Sequence, residues 1–480
     1  MNIENRRYVS NREFILYGIA NGGQCMSYNT LTSYLTYFFV NVFNIDARVV
    51  SVMLFLEGIW DAINNPLMGT LVDKTRTRWG KLRPYLLGVP IPLAITTALL
   101  FSGPLLVGDY AAADPRKIIY MTLTYFAWEF MYTIGDVPFW GLSTAISPSP
   151  ADRTRAIASA RFISSIVGGL PTLFIPILID LVNKRILGTS LRVVFCIYAI
   201  VISIFGMGLF SLSGLCVKER VLQNEEQPSL TESFRNMLQN RPLRILILKD
   251  ILSALGGIGG VYSTYYLVDV LGSASVSLLT GIPGTVIGFI SFLFIPLFKK
   301  HMNNKQIIIA TKLMSTSVGV LKFLVAIGGG RYGRIGFMIP LMMLDGVCNS
   351  IFNGVNGVIP MEMIGETVDY AEWTTGQRTE GTSFACITFV GKFNGAMSRA
   401  VGTFLIPYIG YKTSNSSAVI PQTTHTKRNI YAMYTIIPAL LGIVGILPML
   451  FYDLVGEKRE TMFRELDKKR AAKVKEVERN

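Results

Sequence analysis

The polar stretch KERVLQNEEQPSLTESFRNMLQNRP, at residues 218–242, is the longest polar interruption of the chain before its charged tail. Apolar blocks of about 20 residues, the length that an α-helix needs to cross a bilayer, recur on both sides of it. Six blocks precede the stretch and six follow it. We therefore predict two six-helix halves, at 1–217 and 243–453, joined by a central cytoplasmic linker at 218–242 and followed by a charged cytoplasmic tail at 454–480.

The composition indicates that lipid, rather than water, surrounds these blocks. Of the 480 residues, 51% are hydrophobic and 16% are charged, whereas soluble domains have about 25% charged residues. The sequence thus predicts an all-α membrane protein with twelve transmembrane helices. They are expected at 13–41, 48–73, 84–104, 115–145, 157–182, 191–216, 243–270, 274–298, 306–328, 334–364, 381–411 and 430–453.

The basic residues predict orientation rather than a nucleic-acid partner. The net charge is +14, but the basic residues lie mostly between apolar blocks and in the tail, without a nucleic-acid-reading motif. Excess Lys and Arg in cytoplasmic loops orients membrane proteins. We expect both termini in the cytoplasm and a multi-pass location in a bacterial plasma membrane. The segments assigned inside are Lys74 to Arg83, Arg153 with Arg155, Lys218 to Arg244, and Lys299 to Lys305.

The second predicted helix carries polar side chains where lipid-facing residues are expected. Glu57, Asp61 and Asn65 are spaced four apart and therefore share one face, with Asn64 beside them. Ionisable residues inside spanning helices usually face a cavity or pathway. Carboxylate and amide oxygens suit Na⁺, and a carboxylate can instead take a proton. The alternative is a cluster of interhelical hydrogen bonds that binds no ion.

The fourth predicted helix places a carboxylate between two aromatic side chains. Tyr132, Asp136 and Trp140 are spaced four apart. A carboxylate accepts hydrogen bonds from sugar hydroxyls, and an indole packs on the apolar face of a pyranose ring, so this trio predicts a sugar subsite. Arg161 and Lys392 are cations in apolar surroundings, which either pair with the buried carboxylates or bind an acidic solute. Thr388, one turn before Lys392, joins the candidate substrate contacts, while Lys312, Lys322 and Arg399 have no assigned role.

The loop after the second helix resembles the loop signature of major facilitator carriers. It reads GTLVDKTRTR from Gly69 to Arg78. Asp73, with Lys74 and Arg78, is expected to take part in gating by pairing across the inner side. The alternative is simple anchoring by positive charges on the inner side.

Four longer runs resemble the glycoside–pentoside–hexuronide:cation symporters, a major facilitator family that includes melibiose permease. They are WDAINNPLMG (60–69), RTRWGKLRPY (76–85), YTIGDVPFW (132–140) and ETVDYAEW (366–373). The resemblance implies the major facilitator fold and sugar:cation symport by alternating access, with Na⁺ or H⁺ as the coupling ion. By residue, it implies roles in cation or sugar binding for Asp61, Thr133, Asp136, Trp140, Arg161 and Lys392.

Two positions depart from melibiose permease. Asn65 stands where that protein has a second aspartate, and Gln24-Cys25 replaces a lysine followed by a sugar-binding aspartate. Either Glu57 replaces the missing charge, or coupling is to H⁺ alone, or coupling is lost and the protein is a uniporter. Cys25 remains a candidate substrate contact, and the identity of the sugar stays open, an acidic sugar being suited to the cations.

Other function classes lack a matching pattern. A lysolipid carrier would need a lateral apolar opening, and a sensor would bind without transport. A membrane-embedded enzyme would need a catalytic constellation, but the only histidines, His301 and His425, fall in predicted loops without a companion nucleophile. The five cysteines are single, so the sequence predicts no zinc site, no cofactor and no enzyme activity.

Overall fold

The computed structural model describes residues 8–147, 149–220, 240–375, 380–413 and 420–477. Within these ranges the regular structure is helical, and the only β pairing is a single bridge between Thr77 and Gly80.

The first half contains six helices in the order that the apolar blocks predict. They are α1 (Asn11–Tyr37, continuing as the π-helical Phe38–Val42), α2 (Ala47–Lys74), α3 (Arg83–Gly88 and Pro90–Leu106), α4 (Pro115–Ala145), α5 (Pro150–Val167 and Leu170–Asn183) and α6 (Leu191–Phe210 and Leu212–Cys216).

The second half repeats the count and adds a tail helix. The helices are α7 (Arg241–Ser253, Ala254–Gly257, Ile258–Tyr265 and Tyr266–Val270), α8 (Val276–Ile290, Ser291–Phe294 and Ile295–His301), α9 (Asn304–Ile327), α10 (Ile335–Ser350 and Asn353–Thr375), α11 (Glu380–Phe404), α12 (Thr424–Tyr434, Ile436–Ile443 and Ile446–Leu450) and α13 (Gly456–Val477). The 3₁₀ turn Gly328–Gly333 joins α9 to α10, and Gly329 and Gly330 take positive φ there.

The all-helical fold is confirmed, with differences at several helix ends. The prediction ends one helix at residue 364, whereas α10 continues to Thr375, and it starts the last one at 430, whereas α12 begins at Thr424. Seven stretches of the described helices are long and apolar enough to cross a bilayer. Helices α1, α2, α4 and α11 are outside that set, as is the shorter α3, and α1, α2 and α4 carry most of the polar side chains of the candidate site.

Short polar side chains begin several of these helices. Asp46 accepts a hydrogen bond from the backbone N–H of Arg48 at the start of α2, and Asp114 does the same for Arg116 at the start of α4. Asn303 begins α9 with a reciprocal capping box. Such caps satisfy N–H groups that the first helical turn leaves without partners.

The described chain forms two compact units. One comprises Met1–Glu225, Leu267–Ser275 and Thr403–Thr423, and the other comprises Glu226–Tyr266, Val276–Gly402 and Thr424–Asn480. The predicted halves and linker boundaries stay a prediction, and most of the linker, residues 221–239, lies outside the described residues.

Close helix packing and buried polar contacts hold the first unit together. A methyl group added at Gly22 of α1 would lie 2.5 Å from Cβ of Val167 in α5, so only glycine allows this approach. Near the end of α5, the carboxylate of Asp180 accepts hydrogen bonds from the hydroxyls of Ser273 and Ser275, at 2.6 and 2.5 Å. These contacts fix the segment 273–275 against α5.

The tail helix α13 packs against α10 within the second unit, although its many charges would suit a helix that is solvated on all sides. Met462 and Leu466 are buried in a cluster with Ile359 and Met363 of α10. Arg459 also donates a hydrogen bond of 2.8 Å to the carboxylate of Glu366. The reason for the difference is that residues four apart share a helical face, so a helix rich in charges still presents one apolar stripe.

Candidate functional site

Asp136 of α4 is held by an amide from α1. Gln24 Nε2 donates a hydrogen bond of 3.2 Å to Asp136 Oδ1. Gln24 is 1% exposed, and its Oε1 atom has no hydrogen-bond partner among the described residues. Cys25, the predicted contact, is half-buried and has its Sγ 4.0 Å from Oδ1 of Asn21. The sequence predicts Cys25 as a substrate contact, but it is the neighbouring Gln24 that makes the hydrogen bond to Asp136.

Trp140 and Arg161 form a stacked pair one turn along from Asp136. The guanidinium carbon of Arg161, on α5, lies 4.6 Å from the centroid of the indole ring. Among the residues that the structure describes, Arg161 forms no ion pair. Phe139 packs edge-on against Trp140, and Tyr17 of α1 stacks on Phe139 with ring centroids 4.4 Å apart. The pair thus presents guanidinium N–H groups beside a fixed aromatic ring.

Tyr132 belongs to an aromatic stack one turn before Asp136. Its ring lies 5.2 Å from that of Tyr28 in α1 and 5.1 Å from that of Trp128 in α4. Trp128 is fully buried, and its indole N–H donates to the hydroxyl of Thr97 in α3 at 3.0 Å. Because each ring is packed on another, the position of Tyr132 relative to Asp136 is well fixed.

The polar stripe of α2 contains an intrahelical carboxylate–amide pair. Asn65 Nδ2 donates to the backbone oxygen of Asp61 at 2.6 Å and to Asp61 Oδ1 at 2.7 Å. Glu57 and Asn64 are buried, at 3% and 2% exposure. The Nδ2 atom of Asn64 has no hydrogen-bond partner within the described part of the chain. The stripe therefore gathers carboxylate and amide oxygens on one helix.

Thr133 lies on α4, the helix that packs against α2. Its hydroxyl donates to the backbone oxygen of Glu129 at 3.1 Å and is buried. This leaves lone pairs on the Thr133 oxygen, which remains able to act as a ligand. The rings of Trp60 and Phe126 meet where the two helices pack, with centroids 6.3 Å apart.

The remaining predicted residues lie elsewhere. Lys392 is half-buried and Thr388 is exposed on α11, in the second compact unit. Lys74 and Arg78 are exposed, and the Arg78 guanidinium lies 4.8 Å from the Trp79 ring centroid. The side chain of Asp73 lies outside the described residues. The gating roles stay a prediction.

The first unit thus combines two kinds of binding chemistry. Around Asp136, a carboxylate, a guanidinium and fixed aromatic rings can accept hydroxyl hydrogens, donate to oxygens and pack on a sugar ring. Along α2, the oxygens of Asp61 and its neighbours suit a small hard cation.

Comparisons with known proteins identify the family of the chain. A family model described as MFS/sugar transport protein matches residues 16–456. The inner membrane symporter YicJ of Escherichia coli is 28% identical over 464 residues, covering 95% of each chain. A putative glycoside/cation symporter of the same organism, YagG, is 27% identical over 471 residues, covering 96% of each chain.

The fold also matches solved transporters. The crystal structure of the nucleoside transporter NupG superposes with a TM-score of 0.59, covering 92% of this chain and 99% of that one. The two sequences are 15% identical, so this likeness supports the fold alone.

Proposed function

The protein belongs to the MFS/sugar transport protein family, and we propose that it moves a sugar across a bacterial membrane together with a cation, by alternating access. The similar symporters, one of them named as a glycoside/cation symporter, support this assignment. Membership of a transporter family also favours transport over catalysis.

The observation that carries the proposal is the arrangement around Asp136. Asp136 is fixed by Gln24, and one turn away Trp140 lies beneath the guanidinium of Arg161. A sugar needs acceptors and donors for its hydroxyls and a flat apolar surface for its ring, and this cluster offers all three. We assign sugar binding to Tyr132, Asp136, Trp140 and Arg161, with Lys392 and Thr388 as candidates from α11.

The coupling cation is assigned to the polar stripe of α2. Asp61 provides the charge, while Asn64, Asn65 and Glu57 bring further oxygens along the same helix. Thr133 of α4 is the candidate ligand from the neighbouring helix. Na⁺ and H⁺ are both compatible with this set, because a carboxylate either ligates Na⁺ or takes up a proton.

Coupling follows from thermodynamic linkage between the two sites. If the sugar and the cation both bind more tightly to the same occluded conformation, each raises the affinity for the other by the same factor. The helix α4 supports both sites, because Thr133 and Asp136 lie three residues apart on it. We further propose a plasma-membrane location with both termini in the cytoplasm, as the basic loops favour.

Uptake by membrane vesicles with imposed gradients tests the proposal. We expect a labelled sugar to accumulate above its external concentration when a Na⁺ or an H⁺ gradient is directed inward. The expected accumulation disappears when an ionophore collapses that gradient. Equilibration without accumulation under either gradient would instead identify a uniporter, and binding without flux would identify a sensor.

A further inference from the structure

The second unit contains the same carboxylate–amide arrangement as α2. In α10, Asn349 Nδ2 donates to both the backbone oxygen and Oδ1 of Asp345, each at 3.0 Å. Asn65 makes these same two hydrogen bonds to Asp61 in α2. In both helices the amide follows the carboxylate by four residues, so the two pairs have the same chemical composition and the same local geometry.

In the second unit, the carboxylate of this pair forms an ion pair with a lysine side chain. Lys322 of α9 places its Nζ 2.7 Å from Asp345 Oδ2 and 4.5 Å from the ring centroid of Tyr434 in α12. The side chain of Lys322 is 8% exposed and that of Asp345 is 18% exposed. The ammonium therefore lies between a carboxylate and an aromatic face, an environment that binds cations.

Neighbouring side chains hold both members of this ion pair in place. Ser315 of α9 donates a hydrogen bond of 2.8 Å to Asn349 Oδ1, so the amide that contacts Asp345 is itself held. On the other side, the hydroxyl of Tyr431 donates to the backbone oxygen of Lys322 at 2.7 Å. Three helices thus fix a monovalent cation, here the lysine ammonium, at one carboxylate.

In these surroundings the negative charge of Asp345 is costly without a positive partner. Ionised groups inside membrane-spanning segments are costly unless they are paired, so the ammonium of Lys322 stabilises the ionised carboxylate of Asp345. An exchangeable ion would leave and return during each transport cycle. An ammonium on a side chain cannot leave, and it keeps the carboxylate neutralised in every conformation that preserves the contact.

We propose that Lys322 is a tethered cation, which permanently fills a monovalent-cation site on Asp345. The second unit then contributes no exchangeable cation, and the coupling ion binds only in the first unit. The part of this inference that concerns coupling rests on the proposed symport, whereas the cation site itself does not. The simpler alternative is an ion pair that only joins α9 to α10 and has no affinity for a free cation.

The test removes the ammonium of Lys322 by mutation and adds free cations in its place. In purified Lys322→Met protein, Asp345 loses its cation, and small monovalent cations should bind in the vacated place. We expect the thermal unfolding temperature of this variant to rise by several degrees, saturably, with methylammonium, Na⁺ or Li⁺. The bulky N-methylglucamine cation, at the same ionic strength, should not raise the unfolding temperature. The unfolding temperature of the wild type should rise with small cations only as far as its own coupling-ion site accounts for.

Two further variants keep the test decisive. Lys312→Met removes a half-buried lysine of α9, one that forms no ion pair among the described residues, and should leave the cation response of the wild type unchanged. The double variant Lys322→Met/Asp345→Asn removes both charges and should lose the extra response while keeping gradient-driven sugar uptake. If Lys322→Met does not fold without small cations, folding that methylammonium restores and N-methylglucamine does not restore supports the proposal, and failure to fold with either cation overturns it.

Two results would overturn it. One is Lys322→Met protein whose stability is indifferent to all small cations, which would leave only the ion pair between helices. The other is a folded double variant that transports sugar without cation coupling, which would place the pair in the coupling cycle. A wild-type protein that transports no sugar would contradict the proposed function but not the cation site, because the stability measurement needs no transport.

Discussion

Helices α2 and α10 carry the same local pair, an aspartate whose carboxylate accepts a hydrogen bond from an asparagine one turn later. They differ in the groups that lie around the carboxylate. Beside Asp61, the same helix contributes the buried side chains of Glu57 and Asn64, which bring further oxygens. At Asp345, the neighbouring helix contributes the ammonium of Lys322. We propose that the first arrangement provides ligands for the coupling cation, whereas the second is already paired with the ammonium of Lys322.

The comparison shows that a motif inside one helix does not by itself decide function. The hydrogen bonds that each asparagine donates to the aspartate are local, because they depend only on a four-residue spacing. Whether the carboxylate binds a mobile ion depends on what the adjacent helix places against it. The predictions below alter one member of the comparison at a time.

The largest effect on transport is expected from Asp61→Asn, which removes the charge of the α2 pair. Losing a charged contact to a bound cation costs about 1.5–3 kcal/mol or more, so gradient-driven accumulation should fall at least about 10- to 100-fold. Vesicle uptake under an imposed cation gradient measures this. Sugar binding at a saturating sugar concentration should persist, as a control for folding. Undiminished accumulation would remove Asp61 from the cation site.

The largest effect on stability is expected from Lys322→Met in the α10 pair. Removing one partner of a buried ion pair typically costs about 3–5 kcal/mol, because the other charge remains buried. Adding Asp345→Asn should recover most of that loss. Thermal unfolding without small cations measures both variants. If the double variant were as unstable as the single one, the loss would come from packing around Lys322 rather than from the uncompensated carboxylate.

The fold could be predicted from the sequence because lipid imposes a strong pattern. Every spanning helix needs about 20 apolar residues, and the twelve blocks follow from that requirement. The residues of the candidate site are harder to predict from the sequence than the fold. Asp136, Trp140 and Arg161 were visible because charged or large aromatic side chains stand out within apolar blocks. Gln24 was not singled out as a contact, because an uncharged amide in α1 gives no such signal, although a polar residue beside Cys25 was a usable hint.

The Lys322–Asp345 pair illustrates what a single sequence does not reveal. Lys322 was conspicuous in its apolar block, but its partner lies 23 residues away on the next helix. Periodicity shows which residues share a face of one helix, and it does not show which faces of two helices meet. The short turn Gly328–Gly333 makes α9 and α10 neighbours, which narrows the choice of partner without determining it.

A moderate effect is expected from Asn65→Asp, which adds a second carboxylate to the α2 pair. The hydrogen bond from Asn65 to Asp61 is lost, and two like charges one turn apart then favour a bound cation between them. The apparent affinity for the coupling cation should rise by about tenfold, equivalent to about 1.4 kcal/mol. Cation titrations of sugar uptake measure it, with Asn65→Ala as the control that removes the amide without adding charge. A similar change in both variants would mean that the amide, not the charge, sets the affinity.

The smallest effect is expected from Ser315→Ala, at the edge of the α10 pair. This change removes the hydroxyl that donates to Asn349 Oδ1, and a neutral hydrogen bond contributes about 0.5–1.5 kcal/mol. The unfolding temperature should fall slightly, while sugar uptake and its dependence on the coupling cation should match the wild type. A changed cation dependence would mean that the α10 pair responds to the mobile ion after all, and the contrast between the two helices would then be one of degree.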